Sequence, residues 1–173
     1  MMLEMPKQKG SPILVANWKM NGNLQSINRL LCGLKRDFLD KEPEAEQVII
    51  LPPHVYLQIV AKALSGTSIL IGAQDTDERE TGSVTGGVSA KMLLDVGCEY
   101  VLLGHSERRK LFNEGDGVIF QKLKQGLKVG LKAIVCVGES LEQRNSGQVL
   151  EVISNQLKPI ISQERLPQSE ELL

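Results

Sequence analysis

The chain has 173 residues, of which 42% are hydrophobic and 24% are charged, a balance typical of one globular domain. Its 20 Lys and Arg residues nearly cancel 21 Asp and Glu residues, which argues against nucleic acid or a membrane surface as a partner. The sequence has no apolar run near the roughly 20 residues that span a bilayer and no secretory signal. Three widely spaced cysteines argue against disulfides and a zinc site, so we expect a cytoplasmic protein.

Five short apolar segments rich in β-branched residues predict five β-strands. None alternates polar with apolar residues, so each strand is expected to be covered on both faces, as in a parallel sheet. Between them lie helical patterns, with apolar residues three and four positions apart. The predicted strands are 13–16, 48–51, 68–71, 100–103 and 133–137, and the predicted helices are 24–38, 55–64, 90–96, 118–127 and 149–161.

These five strand–helix units predict an α/β protein, because parallel strands need a crossover between them. Two architectures are compatible with the pattern. An open, flavodoxin-like sheet needs only five strands, whereas a (β/α)₈ barrel needs eight units and about 250 residues. Length alone favours the open sheet. In both architectures functional side chains lie where strands end and helices begin, so the residues after each strand are the candidates.

The segment Asn17-Trp18-Lys19-Met20-Asn21-Gly22 follows the first predicted strand. The ammonium group of Lys19 at the sheet edge could pair with an anionic substrate group. A lone lysine at a strand end is more commonly a surface residue, so this signal is weak by itself.

A long glycine-rich segment, from Gly72 to Gly87, follows the third predicted strand. It exceeds the usual βα loop of about 2–6 residues. It lacks the spacing of a phosphate-binding P-loop. Binding of phosphate by backbone N–H groups and docking on a partner subunit are therefore the two alternatives.

The richest cluster, Gly104-His105-Ser106-Glu107-Arg108-Arg109, follows the fourth predicted strand. Ser106 is expected to cap a short helix, with Glu107 in its first turn. A helix N-terminus disfavours a charged imidazole, so we expect a neutral His105 that donates a hydrogen bond to a substrate oxygen. The alternative is a structural histidine in the helix cap. His54, behind two prolines, is expected to be structural.

Charged residues also follow the fifth predicted strand, among them Glu139 and Glu142. A solvated helix face is the more common explanation for such a group. Cys136, within the strand, is expected to pack in the core rather than act as a nucleophile.

Two long motifs resemble the triosephosphate isomerase family. Residues 16–22 (Ala-Asn-Trp-Lys-Met-Asn-Gly) are similar to that family's strand-one motif, and residues 100–109 are similar to its signature around an electrophilic histidine. Three shorter segments are similar to family segments and occur in the same order: Gly72-Ala73-Gln74, Thr85-Gly86 and Cys136-Val137-Gly138-Glu139. The resemblance implies an α/β fold of the (β/α)₈ TIM-barrel type, of which residues 1–173 would carry about five units as a single, apparently incomplete domain.

The resemblance also implies a reaction and the residues for it. The reaction is the interconversion of dihydroxyacetone phosphate and glyceraldehyde 3-phosphate through an enediolate, in glycolysis and gluconeogenesis, without metal or organic cofactor. Lys19 would bind the substrate and stabilise the enediolate, with Asn17 supporting it. His105 would polarise the carbonyl and carry a proton between the two oxygens. Glu107 would orient Lys19 or the histidine cluster.

The family further implies a homodimer, in which an arm from Thr81 to Gly87 inserts into the neighbouring subunit. One departure weakens that inference. The family commonly has a glutamate at the position of Gly87, and this glutamate can pair with an arginine across the interface. Arg108 is therefore expected to lack its usual partner.

A second departure concerns the catalytic base. The family takes it from a glutamate after strand six and holds phosphate with loops after strands seven and eight, and none of these segments is recognisable here. We therefore expect the chain alone to be poorly active and marginally stable, with strands one and five as unpaired edges. The alternative is a non-catalytic truncated fragment that self-associates or complements another piece.

Overall fold

A computed structural model describes residues 12–39, 47–162 and 171–173. Strands and helices alternate along this part of the chain, and a 3₁₀ turn at His54–Tyr56 precedes the second helix. The strands are β1 (Ile13–Asn17), β2 (Gln47–Leu51), β3 (Ile69–Ala73), β4 (Tyr100–Leu103) and β5 (Lys132–Val135). The helices are α1 (Leu24–Leu39), α2 (Leu57–Leu64), α3 (Ala90–Asp95), α4 (Ser106–Leu111), α5 (Asp116–Lys128), α6 (Leu141–Asn145) and α7 (Val149–Ile161).

The five strands are parallel and lie in the order of the sequence, β1-β2-β3-β4-β5. A doubly wound sheet reverses its strand order at a switch point, whereas a barrel adds each new strand beside the previous one. The observed order therefore rules out the flavodoxin-like sheet that length alone favours. It confirms an α/β fold of the barrel type, with five parallel strands forming a partial barrel.

The predicted elements agree with the observed ones to within a few residues. The helix predicted at 55–64 begins instead as a 3₁₀ turn, whose N-cap is Pro53. Helix α6 was not predicted as a separate element. It is started by a capping box, in which the side chains of Ser140 and Gln143 each bond to the other's backbone N–H.

Strands β2, β3 and β4 are buried on both faces, which explains their uninterrupted apolar runs. The expectation that every strand is covered on both faces was wrong for β1, which is largely exposed. In β2, Val48 and Ile50 pack against the helices, while Ile49 and Leu51 pack with residues of the neighbouring strands in a second, inner cluster. All four side chains are at most 5% exposed. Successive residues of a strand point to opposite faces, so both sets of positions must be apolar.

The inner cluster depends on a close approach between β3 and β4. Gly72 lies beside Tyr100 in the strand register. A Cβ at Gly72 would overlap the Leu51 side chain and lie 2.9 Å from the Tyr100 Cβ. Glycine at this position therefore makes room for the buried Tyr100 ring, whose hydroxyl donates to Gln47 Oε1 at 2.7 Å.

The two edges of the sheet differ. At β1, three apolar side chains are exposed (Ile13, Leu14 and Val15), and no strand in the described residues pairs with its outer side. At β5, residues 171–173 add in parallel: Ala133 N–H donates to Glu171 O at 2.8 Å and Val135 N–H to Leu173 O at 3.0 Å. The expectation of an unpaired fifth strand was therefore wrong, because these residues satisfy its outer N–H groups.

Replacing Gly72 by alanine should destabilise the fold by about 1–3 kcal/mol, because the added methyl group overpacks the inner cluster. The matched control is Gly33→Ala in α1, where a Cβ would meet no atom within 4 Å. That change should stabilise the protein by about 0.5–1 kcal/mol through helix propensity. Urea unfolding of both variants measures the difference, and equal shifts in the same direction would contradict the packing argument.

Candidate active site

The loop after β1 is held in a strained conformation. Lys19 has φ of 54°, in the left-handed region that residues with a Cβ rarely adopt. Its N–H donates to Asn17 Oδ1 at 2.9 Å, and its carbonyl oxygen accepts from Gln74 Nε2 at 3.0 Å. The same amide nitrogen of Gln74 donates to Leu51 O at 2.8 Å. Gln74, which the sequence offered only as part of a similar segment, thus fastens the Lys19 loop to β2.

The structure brings together the candidate residues that follow β1 and β4. Lys19 Nζ lies 2.5 Å from Glu107 Oε1, although 88 positions separate the two residues. His105 Nδ1 lies 3.4 Å from the other carboxylate oxygen of Glu107. Parallel strands bring their carboxyl ends to the same edge of the sheet, so β1 and β4 deliver these side chains to one place.

His105, not Ser106, is the N-cap of α4, so that prediction was wrong. The backbone of His105 is extended (φ −54°, ψ 139°), and its Nδ1 accepts the Glu107 N–H at 3.2 Å. Ser106 is already the first helical residue. A ring nitrogen that accepts a hydrogen bond carries no proton, so this contact favours the neutral imidazole with the proton on Nε2.

The ion pair also determines the charge of Glu107. The hydrogen bond from Lys19 outweighs desolvation and, together with the charge of Lys19, holds the pKa of Glu107 below its ordinary value of 4.5. Glu107 is therefore ionised at neutral pH. Both side chains are about half exposed, 44% for Lys19 and 50% for Glu107, so the pair contributes little to stability. Its effect is to restrain the position of the ammonium group.

A second group of charges lies between the loop after β3 and helices α4 and α5. Arg108 contacts Glu114 Oε1 at 2.7 Å and Asp75 Oδ2 at 2.9 Å. Lys122 Nζ reaches Glu114 Oε1 at 2.6 Å and Asp75 Oδ1 at 2.8 Å. Within the chain Arg108 thus pairs with two carboxylates, neither of which the sequence analysis predicted.

Burial and pairing act in opposite directions on the two carboxyl groups. Burial raises the pKa of Asp75 above 3.8 despite Lys122 and Arg108. Burial also acts to raise the pKa of Glu114, but hydrogen bonds from Arg108 and Lys122 outweigh it and leave that pKa below 4.5. The Glu114 ion pairs therefore stabilise the fold above about pH 4.5 and lose this effect as the pH falls through the folded-state pKa. Because the pKa of Asp75 is raised in the folded state, ionisation of its carboxyl group destabilises the fold as the pH rises above 3.8.

A cavity of about 460 Å³ lies beside this group of charges, between the loop after β3 and α5. Arg79, Gly87 and Val118 are among its lining residues, whereas Lys19, His105 and Glu107 are not. The cavity is therefore separate from the cluster of candidate catalytic residues. His54 Nε2 contacts Asp75 O at 2.8 Å at its wall, as fits a structural histidine.

The residues after β5 form the solvated helix face that the sequence suggested, since Glu142 and Arg144 are exposed on α6. Glu139 precedes α6, its side chain is only 7% exposed, and it pairs with Arg144 at 2.5 Å. The neighbouring residue Gly138 makes two hydrogen bonds with the Gln156 side chain. Its N–H donates to Gln156 Oε1 at 2.8 Å, and its carbonyl oxygen accepts from Gln156 Nε2 at 3.0 Å. Cys136 packs against the inner cluster, and burial raises the pKa of its thiol, which fits a packing role.

In 12–39, 47–162 and 171–173, no group of three or more His, Cys, Asp or Glu side chains could hold a metal ion. The helices described there include none long and apolar enough to cross a membrane.

Consecutive parallel strands with polar side chains at their carboxyl ends define the class: an α/β barrel protein with an enzyme-type site at one end of the barrel. A family model described as triosephosphate isomerase matches residues 12–172. The chain belongs to the triosephosphate isomerase family.

Relatives named triosephosphate isomerase occur in several bacteria. The chain is 44% identical over 147 residues to one from Alkaliphilus oremlandii, covering 84% of this chain and 58% of the relative. It is 42% identical over 150 residues to one from Coxiella burnetii, covering 87% and 58%. A relative from Aquifex aeolicus is 39% identical over 146 residues, covering 84% and 58%. The chain thus spans somewhat more than half the length of these relatives.

Replacing Lys122 by methionine should destabilise the protein by about 3–5 kcal/mol, because two buried carboxylates lose a shared cation. Lys124→Met is the matched control, since Lys124 is exposed on the same helix. It should change stability by less than about 0.5 kcal/mol. Urea unfolding at neutral pH compares the two, and similar losses would show that the Lys122 contacts do not carry the stability assigned to them.

The pKa of Glu107 should rise toward its ordinary value in Lys19→Met, because Lys19 provides the largest lowering contribution. A ¹³C NMR titration of the side-chain carboxyl carbon measures this directly. Lys62→Met, which removes an exposed lysine from α2, should leave the Glu107 titration unchanged. An unaltered pKa in Lys19→Met would mean that the ion pair does not form in solution.

Proposed function

We propose that this chain supplies the electrophilic half of a triosephosphate isomerase active site. The observation that carries the proposal is the convergence of Lys19, Glu107 and His105 at the carboxyl ends of β1 and β4, in a chain of this family. The substrate would be dihydroxyacetone phosphate or glyceraldehyde 3-phosphate. The reaction would need neither metal nor organic cofactor.

Lys19 would stabilise the negative charge that develops on the enediolate. Its ammonium group is a compact point charge, which suits an anionic substrate with a phosphate and a developing oxyanion. Asn17 supports it by accepting the Lys19 N–H, and Glu107 holds the ammonium group in place before the substrate arrives. This division of roles makes Lys19 the substrate contact and Glu107 a positioning residue.

His105 would polarise the substrate carbonyl and move a proton between the two oxygens. With Nδ1 occupied by the Glu107 N–H, the ring has one N–H left to donate, on Nε2. A neutral imidazole that gives its Nε2 proton to one substrate oxygen becomes an imidazolate, and it becomes neutral again by taking the proton of the adjacent hydroxyl group, so the ring ends the transfer as it began. The cap of α4 thus fixes both the position and the tautomer that the role requires.

Proton abstraction from carbon also needs a general base. The family takes this base from a glutamate after strand six, and the match to the relatives covers 58% of their length. We therefore propose that the base and the phosphate-binding loops come from sequence equivalent to the remaining part of the relatives. On its own, the 173-residue chain should turn over substrate poorly.

We also propose that the chain associates as a homodimer through the arm from Thr81 to Gly87, in the cytoplasm. Most of this arm is exposed, which leaves it free to contact a second copy. The interface should be weaker than in relatives with a glutamate in place of Gly87. Arg108 is already paired with Asp75 and Glu114 within the chain, so it has less to gain from a partner's carboxylate.

A reconstitution assay tests the catalytic proposal. The chain is mixed with the part of the Alkaliphilus relative that the match leaves uncovered, and isomerisation of either triose phosphate is followed. The mixture should be active, and the chain alone should not. Lys19→Met and His105→Gln should each lower the reconstituted rate by about 10²–10⁴-fold, whereas Lys62→Met should not.

Two results would contradict the proposal. The first is a complex of the two pieces that forms but remains inactive. The second is a reconstituted rate that survives Lys19→Met. Substantial turnover by the 173-residue chain alone would instead show that it carries a base of its own.

A further inference from the structure

Arg109 joins the ends of two strands next to His105. Its Nε donates to Gly104 O at 2.8 Å, and its Nη2 donates to Cys136 O at 3.4 Å. Its Nη1 pairs with Asp116 Oδ1 at 2.5 Å, in the first turn of α5. All three nitrogens of the planar guanidinium therefore donate hydrogen bonds, each to a different acceptor.

The two carbonyl groups lie where the hydrogen-bond ladder between β4 and β5 ends. Cys136 N–H still donates to Leu103 O at 2.8 Å, and Gly104 and Cys136 are the first residues after their strands. Gly104 is buried, and a buried carbonyl without a partner costs about 1–3 kcal/mol. The Arg109 guanidinium thus donates the hydrogen bonds that a further pair of strand residues would otherwise supply to these two carbonyl groups.

Hydrogen bonds hold both peptide groups that flank His105, one from the Arg109 side chain and the other from the helix backbone N–H groups of Arg108, at 2.9 Å, and of Arg109. The Gly104 carbonyl, which accepts from the Arg109 side chain, belongs to the peptide group before His105. The His105 carbonyl, which accepts from the Arg109 backbone N–H at 3.1 Å, belongs to the peptide group after it. Rotation of either peptide plane would change the direction in which the His105 side chain leaves the backbone.

Gly104 leaves little freedom for a compensating movement. Its φ is +70°, and a Cβ there would lie 2.9 Å from Cys136 O and 3.2 Å from Arg109 Nη2. The backbone before His105 is therefore confined between β5 and the guanidinium group.

We propose that Arg109 is a positioning residue for His105: its side chain fixes the peptide group that precedes the histidine, so that the ring keeps Nδ1 on the Glu107 N–H and Nε2–H free to donate. Arg109 acts only through the histidine and does not touch substrate. What the ring does in catalysis rests on the proposed function, whereas how the ring is held does not.

The test is ¹⁵N NMR of the histidine rings in the full chain without substrate. The chain has two histidines, so His54 provides an internal reference. In Arg109→Gln, the Glu107 amide signal and both ring nitrogens of His105 should shift toward the average of the two tautomers, while His54 stays unchanged. Arg109→Lys should behave in the same way, because one ammonium group cannot reach three acceptors with the geometry of the planar fork.

Arg108→Gln is the matched control in the same helix. It removes an arginine with two carboxylate partners, so it should lower stability, but it should leave the His105 ring signals unchanged. Equal ring shifts in Arg108→Gln and Arg109→Gln would overturn the proposal, since the effect would then be general loosening of α4. Full recovery of the ring signals in Arg109→Lys would also overturn it, because charge alone would be sufficient.

A measurement on the unaltered chain keeps the proposal falsifiable if the Arg109 variants do not fold. A scalar coupling across the hydrogen bond between Arg109 Nε and the Gly104 carbonyl carbon should be detectable. In urea below the global unfolding transition, loss of this coupling should coincide with the shift of the His105 ring nitrogens. A missing coupling, or a ring that shifts while the coupling persists, would contradict the proposal.

The reconstituted assay separates this proposal from the proposed function. Arg109→Gln should lower kcat by about 10–10²-fold with little change in KM, as expected for misplacement of a reacting group. A ring response in a reconstituted complex that has no isomerase activity would contradict the proposed function and support the positioning role. A loss of turnover without a ring response would contradict the positioning role.

Discussion

The close contact between β3 and β4 at Gly72 and Tyr100 is the constraint on which the site depends. These strands share only two paired positions, Gly72 with Tyr100 and Ala73 with Val101, whereas β1 and β2 share five. The short junction can form only with a glycine at this position, because a Cβ at Gly72 would overlap the Leu51 side chain and lie too close to the Cβ of Tyr100. Lys19 and Gln74 lie on one side of the junction and His105 on the other, so its geometry determines how far apart the candidate catalytic groups lie.

Two groups of charges cross the same junction and differ in their energetic role. The Lys19–Glu107 pair is half exposed, so solvent screens it, and it restrains positions more than it stabilises the fold. The group of Asp75, Arg108, Glu114 and Lys122 is largely buried, with Lys122 and Glu114 at 6% and 8% exposure. Removing Lys122 leaves two largely buried carboxylates to share one cation, so this group helps to hold the loop after β3 against α4 and α5.

The sequence was most informative where a local pattern has one physical explanation. The uninterrupted apolar run at 48–51 predicted a strand buried on both faces, and the structure confirms it. The choice between barrel and open sheet could not be made in this way, because strand order is a tertiary property that local patterns do not contain. The motifs around Lys19 and His105 indicated the barrel through their resemblance to a family, and the observed strand order agrees with a barrel.

The other wrong or missing predictions concern partners that the local sequence does not reveal. Ser106 is the more common type of N-cap, but the extended backbone of His105 and the reach of its Nδ1 give it that position. The carboxylates that Arg108 contacts within the chain were also not predicted, because Asp75 lies 33 positions before it and Lys122 joins them only in the folded state. The outer edge of β5 was expected to be open, yet residues 171–173 pair with it. Periodicity identifies which face of an element is buried, but not which side chain meets it.

The contacts that hold the strained Lys19 loop and the His105 cap all come from residues at the carboxyl ends of the described strands and from α4. The Lys19 backbone is fixed by Asn17 and Gln74, and its ammonium group by Glu107. A left-handed residue costs of order 1–3 kcal/mol and persists only where its surroundings over-determine it. That these surroundings come from β1, β3 and α4 means that the cluster of Lys19, Glu107 and His105 is organised in the absence of substrate. Pre-organisation of this kind is what makes a charged group effective on a developing oxyanion, because the group need not reorient during the reaction.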